Sequence, residues 1–204
     1  LKEDYEDRDV LSKVESLAEK TELYEELYAI YEEAIDSISD NDLIEYFKKR
    51  QAELSIEKLG EKVEAEKHYK EVIELNPNNL EAYHKLQDLY EKDERYIDLI
   101  DIMDKEIQVT QDTAKKIELY IRIADIYFEK IGNADEASGI LKKALAIDGS
   151  NRQLLFKMVD FYAKAERYED LAQSLKRLID NIEPAEQIDY LKRLGEVYET
   201  KLGQ

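Results

Sequence analysis

The sequence predicts an all-α solenoid of tandem helix-turn-helix pairs, and three observations lead to it. Of the 204 residues only six are Gly and two Pro, while 39% are charged and 43% hydrophobic. That is the composition of amphipathic helices rather than of turn-rich sheet. A shift of 72 residues carries Gly60 to Gly132, Ala52 to Ala124, Ala65 to Ala137, Lys58 to Lys130 and Asn79 to Asn151. Between these markers apolar residues recur at helical spacing, as in Tyr83, Leu86, Leu89 and Tyr90, then Leu99, Ile100, Met103 and Ile107. A fixed period built from helix pairs is the signature of a stacked array, because one pair alone cannot bury its apolar face.

The elements follow in chain order. The same shift relates Leu11, Tyr83 and Leu155, and likewise Val14, Leu86 and Met158, Tyr24, Tyr96 and Tyr168, and Leu27, Leu99 and Leu171. The expectation is therefore a single solenoid over 1–204, with double repeats near 8–79, 80–151 and 152–204. The third copy runs one residue short, so that Lys130, Ile131 and Gly132 answer to Lys201, Leu202 and Gly203. Tyr90, Tyr127, Tyr162 and Tyr198, spaced by 37, 35 and 36 residues, divide each unit into halves of about 36, each a helix pair. Eleven helices are expected, near 8–20, 22–38, 42–59, 61–76, 79–92, 94–109, 113–131, 133–147, 151–164, 166–181 and 184–202.

Punctuation agrees: Asn76, Pro77, Asn78 and Asn79 separate two pairs, and Asp148, Gly149, Ser150 and Asn151 do so one unit later. Asn78 with Glu81 and Asn133 with Glu136 have capping-box spacing, and Pro184 suits a first helical turn. The last helix has no second helix to pair with, so the natural chain is expected to continue beyond Gln204. The absence of an initiator Met suggests a processed or excised piece. The opening Leu1, Lys2, Glu3 and Asp4 do not form a signal peptide.

Composition also excludes function classes. Forty-nine acidic against thirty basic residues give a formal charge of −19, which repels a nucleic-acid backbone or an anionic membrane at long range. The longest apolar runs, such as Leu154, Leu155 and Phe156, are too short to insert into a bilayer. No cysteine is present, so the chain holds neither disulfides nor thiolate zinc, and its compartment is unmarked, with the cytoplasm as the default. Phosphate-binding, dinucleotide-binding and nucleophile-elbow motifs are absent. The two histidines, His68 and His84, fall on different helices and read as surface or half-buried residues. Acid clusters at Asp36 to Asp42 and at Asp93 with Glu94 lack the ligand spacing and central Gly of a calcium loop. The recurring Tyr90, Tyr127, Tyr162 and Tyr198 read as packing residues. No catalytic residue and no cofactor is expected.

A helix pair carrying Leu-Gly, then Tyr, then Ala, then Ala-Leu and a closing Pro resembles the tetratricopeptide repeat (TPR). Leu194, Gly195 and Tyr198 look like its first-helix core, and Ala137, Leu141, Ala144 and Leu145 like its second. Ala65, Tyr69, Val72 and Pro77 match the second helix and the terminating proline, with Tyr24, Tyr96 and Tyr168 just ahead of it. Leu27, Leu99 and Leu171 depart from the pattern, standing where the second helix has a small residue. The alternation of two half-types is similar to long bacterial TPR arrays.

The resemblance implies a right-handed superhelix whose first helices line a concave groove for a partner. In such arrays the ninth residue of each first helix faces the groove. Counted from Leu80, Ile117, Arg152 and Ile188 as first residues, that residue is Asp88, Asp125, Asp160 and Glu196, with Glu53 equivalent one unit before Asp125 and Ser16 breaking the row, and Ile56, Ile121, Phe128 and Phe156 join the same face by the same count. Carboxylates would supply register and on-rate and apolar groups affinity, which favours a basic or amine-rich peptide or domain. Arrays that clamp chaperone tails use Asn at the ninth place, so a tail clamp is not expected. The expected function is a protein-interaction scaffold. The alternatives are a self-assembling structural segment, told apart by concentration-dependent mass, and the regulatory arm of a larger enzyme.

Overall fold

The computed structural model describes residues 7–204; the expectation about Leu1 to Asp4 lies outside the described residues. Its described residues contain helices and no strand, in two compact units divided between Val109 and Thr110. The first holds α1 (Arg8–Thr21), α2 (Tyr24–Ser37), α3 (Asn41–Leu54), α4 (Lys62–Leu75), α5 (Leu80–Lys92) and α6 (Tyr96–Val109). The second holds α7 (Thr113–Asp125), α8 (Ala134–Ile147), α9 (Arg152–Lys164), α10 (Tyr168–Asp180) and α11 (Pro184–Glu196). Within each unit every helix packs against its neighbours in sequence, the contact pattern of a stacked helix-pair array. The division falls inside the middle double repeat, between its two helix pairs.

Helix starts repeat with the sequence period. Asp7, Asn79 and Asn151 cap α1, α5 and α9, their side chains accepting from Asp9 N at 2.8 Å, Ala82 N at 3.1 Å and Leu154 N at 3.0 Å. Asp40 and Asp112 cap α3 and α7 in the same way, each at 2.8 Å. Such caps satisfy amide donors that the helix itself leaves free. Asn133 caps α8 as expected, its Oδ1 accepting from Glu136 N at 3.1 Å, and Pro184 opens α11. The expected cap at Asn78 is displaced by one residue: Asn76 Oδ1 accepts from Asn78 N at 3.1 Å, which folds Asn78 into the turn and leaves Asn79 as the cap.

The first helices of successive pairs end in two alternating ways. After α1, α5 and α9 the chain turns through Glu22, Glu94 and Glu166, all left-handed with φ of 58°, 55° and 54°, and Tyr24, Tyr96 or Tyr168 opens the next helix. After α3, α7 and α11 the backbone widens into π-helical segments, Ser55–Leu59, Ile126–Ile131 and Val197–Lys201. The first two end on left-handed Gly60 (φ 73°) and Gly132 (φ 78°), where glycine meets no Cβ penalty. The expected helices 42–59, 113–131 and 184–202 thus finish in π rather than α geometry.

The core follows the repeat. In the first unit Leu11, Leu27, Tyr31, Ala34, Phe47 and Leu54 form one cluster, and Ala65, Tyr69, Val72, Leu86, Leu99 and Met103 are buried farther along. In the second, Ile123, Ala137, Leu141, Ala144, Leu155 and Leu175 are buried. Tyr90 and Tyr162 are buried as expected, whereas Tyr127 and Tyr198 are half-buried. His68, expected at or near the surface, is buried. It occupies the place that Ile140 fills one repeat later.

Candidate partner-binding face

The first helices α1, α3 and α5 line two adjoining clefts in the first unit. One, of about 350 Å³, lies among Ser12, Glu15, Ser16 and Glu19 of α1, Tyr24 and Tyr31 of α2, and Arg50 and Glu53 of α3, and reaches Glu57 and Lys58. The other, of about 410 Å³, lies among Glu53, Ile56 and Glu57, Tyr69 of α4, and Lys85, Asp88 and Leu89 of α5. Glu53 and Glu57 line both. The structure thus brings the ninth-place residues of this unit, Ser16, Glu53 and Asp88, onto a common face, with half-buried Ile56 between them.

A half-buried polar network holds this face in shape. Glu15 Oε1 accepts from the Tyr31 hydroxyl at 2.6 Å, from Arg50 Nε at 3.0 Å and from the Tyr46 hydroxyl at 3.3 Å, while Arg50 Nη1 donates to Glu53 Oε2 at 2.6 Å. Burial, reinforced by the bond to Glu15, pushes the Tyr31 phenol well above its ordinary range. Burial acts to lower the Arg50 pKa, but Glu15 and Glu53 outweigh it and hold the guanidinium charged. Glu15 therefore supplies the carboxylate that Ser16 lacks. No short motif announces it, because its three partners are 16 to 35 positions away.

The lysines qualify the acidic reading. Lys58, Lys62, Lys85 and Lys92 stand on the same clefts, and Lys62 pairs with Asp93. In the second unit Lys157 Nζ lies 2.7 Å from Asp125 and Lys164 Nζ 3.0 Å from Asp160. Of the ninth-place carboxylates, Asp88, Asp160 and Glu196 are exposed, whereas Glu53 and Asp125 are half-buried.

The apolar members also differ from expectation. Phe128 is half-buried, its ring edge-on to Phe161 at 5.0 Å, so it serves packing more than display. Ile121 is half-buried as well. Phe156 remains 36% exposed, 5.9 Å from the Tyr190 ring and beneath the Arg152 guanidinium.

A further, smaller cleft recurs with the repeat and was not foreseen. Lys70, Ile73, Tyr90, Asp98, Asp101 and Lys105 line it in the first unit, and Lys142, Leu145, Tyr162, Asp170, Gln173 and Arg177 in the second. These residues correspond one for one at a shift of 72. The signal lay in the period itself, once polar residues are followed as closely as apolar ones.

Among the described residues no group of three or more His, Cys, Asp or Glu is placed to hold a metal, and no helix is long and apolar enough to cross a membrane. His68 Nε2 lies 2.6 Å from the Tyr28 hydroxyl and Nδ1 3.2 Å from Glu71. Burial lowers its pKa, so it stands as a neutral packing residue.

Beside known proteins the chain is an all-α helical-repeat array. No family model matches it, and no curated protein does. Among solved structures it is similar to YrrB, described as a TPR protein with an unusual peptide-binding site, at 16% identity over 78% of each chain and a TM-score of 0.46. It is similar to MamA at 23% identity over 70% of this chain and 80% of that one, TM-score 0.46. PilF of Pseudomonas aeruginosa is 14% identical over 94% and 84% of the two chains, with a TM-score of 0.45.

Proposed function

We propose that this chain is a non-catalytic protein-interaction scaffold whose first-helix faces bind a peptide or domain of basic character. The observation that carries this reading is the pair of adjoining clefts on α1, α3 and α5, which share Glu53 and Glu57 and are lined by exposed Asp88 and half-buried Ile56. Half-buried apolar groups offer anchorage, and the fixed Glu15–Arg50–Glu53 network offers pre-organised polar contacts. The net charge of −19 adds long-range attraction for a cationic partner. In the second unit Ile121, Asp125, Phe156, Asp160 and Glu196 form the corresponding contact set. The lysines among the carboxylates set register, favouring a partner in which basic residues alternate with others.

The test is an array of immobilised basic, neutral and acidic peptides probed with the full chain. Basic peptides should be retained, with affinity falling as salt rises. Asp88→Lys with Asp160→Lys, both exposed, should weaken retention at least tenfold while leaving the helical circular dichroism unchanged. Equal retention by the variant, or a preference for acidic peptides, would refute the reading.

A further inference from the structure

Ile56 and Leu89 line the cleft between α3 and α5, and one period later the same two places hold Phe128 and Phe161. The backbone at these places is of one kind in both units. Ile56 and Phe128 each sit in the π-helical segment that ends a first helix, Ser55–Leu59 and Ile126–Ile131, and Leu89 and Phe161 each lie in the first helix of the next pair. In the second unit the two rings meet edge-on, their centroids 5.0 Å apart. The first unit has a ring at neither place, and a cleft of about 410 Å³ stands open there.

The polar groups around the cleft differ in the same sense. Asp125 pairs with Lys157 at 2.7 Å and Asp160 with Lys164 at 3.0 Å. Their counterparts are Glu53 with Lys85 and Asp88 with Lys92. Glu53 turns instead to Arg50 at 2.6 Å, and among the described residues Lys85, Asp88 and Lys92 have no ion-pair partner. Tyr69 also lines the cleft, where the next copy has Leu141. It is 1% exposed, and its hydroxyl has no hydrogen-bond partner among the described residues. Burial, with the negative potential of Glu53 and Glu57, pushes this phenol up, so it remains a donor left for whatever enters.

We infer that the cleft between α3 and α5 takes an aromatic side chain of a partner, carried next to a basic residue. The ring occupies the place that Phe128 and Phe161 fill in the second unit, and its basic neighbour meets Asp88 and Glu57 at the rim. The chain's own second copy of the position thus specifies the chemistry of the occupant. An aromatic anchor in a pocket carries more of the affinity than the charges around it, which set register and on-rate. The inference rests on the first-helix faces being the binding surface, and it adds to that reading the side chain that anchors the partner.

The experiment titrates the full chain into a fluorescein-labelled peptide, Gly-Ser-Lys-Phe-Lys-Ser-Gly, and follows anisotropy, beside two peptides in which Leu or Ser replaces the Phe. The Phe peptide should half-saturate at roughly 10–500 μM and bind at least about tenfold more tightly than the Ser peptide, with the Leu peptide between them. Ile56→Phe, alone and with Leu89→Phe, puts the chain's own ring into the cleft. Either variant should reduce the Phe peptide to the affinity of the Ser peptide and leave the weak, salt-dependent binding of the Ser peptide unchanged. The peptide series decides with the unaltered chain, so the test does not depend on the variants folding. If the three peptides bind equally, the aromatic anchor is refuted while the basic-partner reading stands. If none binds, the basic-partner reading fails and takes the anchor with it. The proposal also falls if folded Ile56→Phe keeps the preference for Phe, or if sedimentation shows a self-association that this variant abolishes, which would make a second copy the occupant.

Discussion

Glu66 and Ser138 hold the same place in successive repeats and solve the same problem differently. Glu66 accepts from the Tyr90 hydroxyl at 3.0 Å, from Lys70 at 2.6 Å and from Arg95 at 2.5 Å. Burial raises its pKa, but these three partners outweigh burial and hold the carboxyl at about 2. At Ser138 the hydroxyl bonds Tyr162 at 3.0 Å, while Arg167 turns to Asp135 and Asp170, and Lys142 to Asp170. One repeat concentrates its charges on a central acid, and the next distributes them. Gln51 shows a less balanced exchange. It is buried where the next repeat has Ile123, and neither its amide nitrogen nor its amide oxygen has a hydrogen-bond partner. An unpaired buried amide costs roughly 1–3 kcal/mol. Gln51→Ile should therefore stabilise the chain by about 1–2 kcal/mol and raise the thermal midpoint by roughly 2–6 °C. A lowered midpoint would contradict this. The common face of Ser16, Glu53 and Asp88 was legible because counting along a helix fixes a face. Glu15 was not, because its role depends on Tyr31 and Arg50 reaching it from other helices. Phe128 misled for the same reason, since the ring that receives it belongs to α9.

At the scale of elements, the sequence period appears as an alternation of turns. Left-handed Glu22, Glu94 and Glu166 end one kind of helix, and a π-helical widening that runs into Gly60 or Gly132 ends the other. Only the glycines could be read in advance, because a residue at positive φ favours Gly, whereas Glu elsewhere is an ordinary helix former. That is why the expected starts at 22, 94 and 166 came two residues early: the apolar spacing continued across each left-handed residue. The π segments were equally hidden, since one extra residue in a turn leaves the apolar pattern nearly intact. The two turns should respond in opposite directions. Glu94→Gly removes left-handed strain and should stabilise by about 0.5–1 kcal/mol. Gly132→Ala introduces that strain and should destabilise by about 1 kcal/mol. Urea midpoints of the two variants check both, and a common direction for the pair would contradict this account of the turns.

For the whole molecule, charge dominates. The ion pairs are mostly exposed, and exposed pairs contribute little each, whereas an excess of nineteen negative charges opposes compaction throughout the chain. Raising sodium chloride from 10 to 300 mM should therefore stabilise the protein by about 1 kcal/mol, seen as a thermal midpoint higher by roughly 2–4 °C. A midpoint that fell with salt would mean that the pairs outweigh the repulsion. Fold class, helix number and the 72-residue period were legible because all three rest on apolar spacing. The lysines that answer the carboxylates were not, because any helix surface carries charge of both signs. The alternating turns carry a consequence for how such a chain can be lengthened or shortened. Splicing Leu59 directly to Gly132 would reunite a π-helical end with a left-handed glycine and set α3 beside α8, a junction of the kind the protein already uses. Removing a single helix pair would instead join unlike ends. Insertions and deletions that leave this architecture intact therefore come in steps of four helices, as duplicated quartets rather than duplicated pairs.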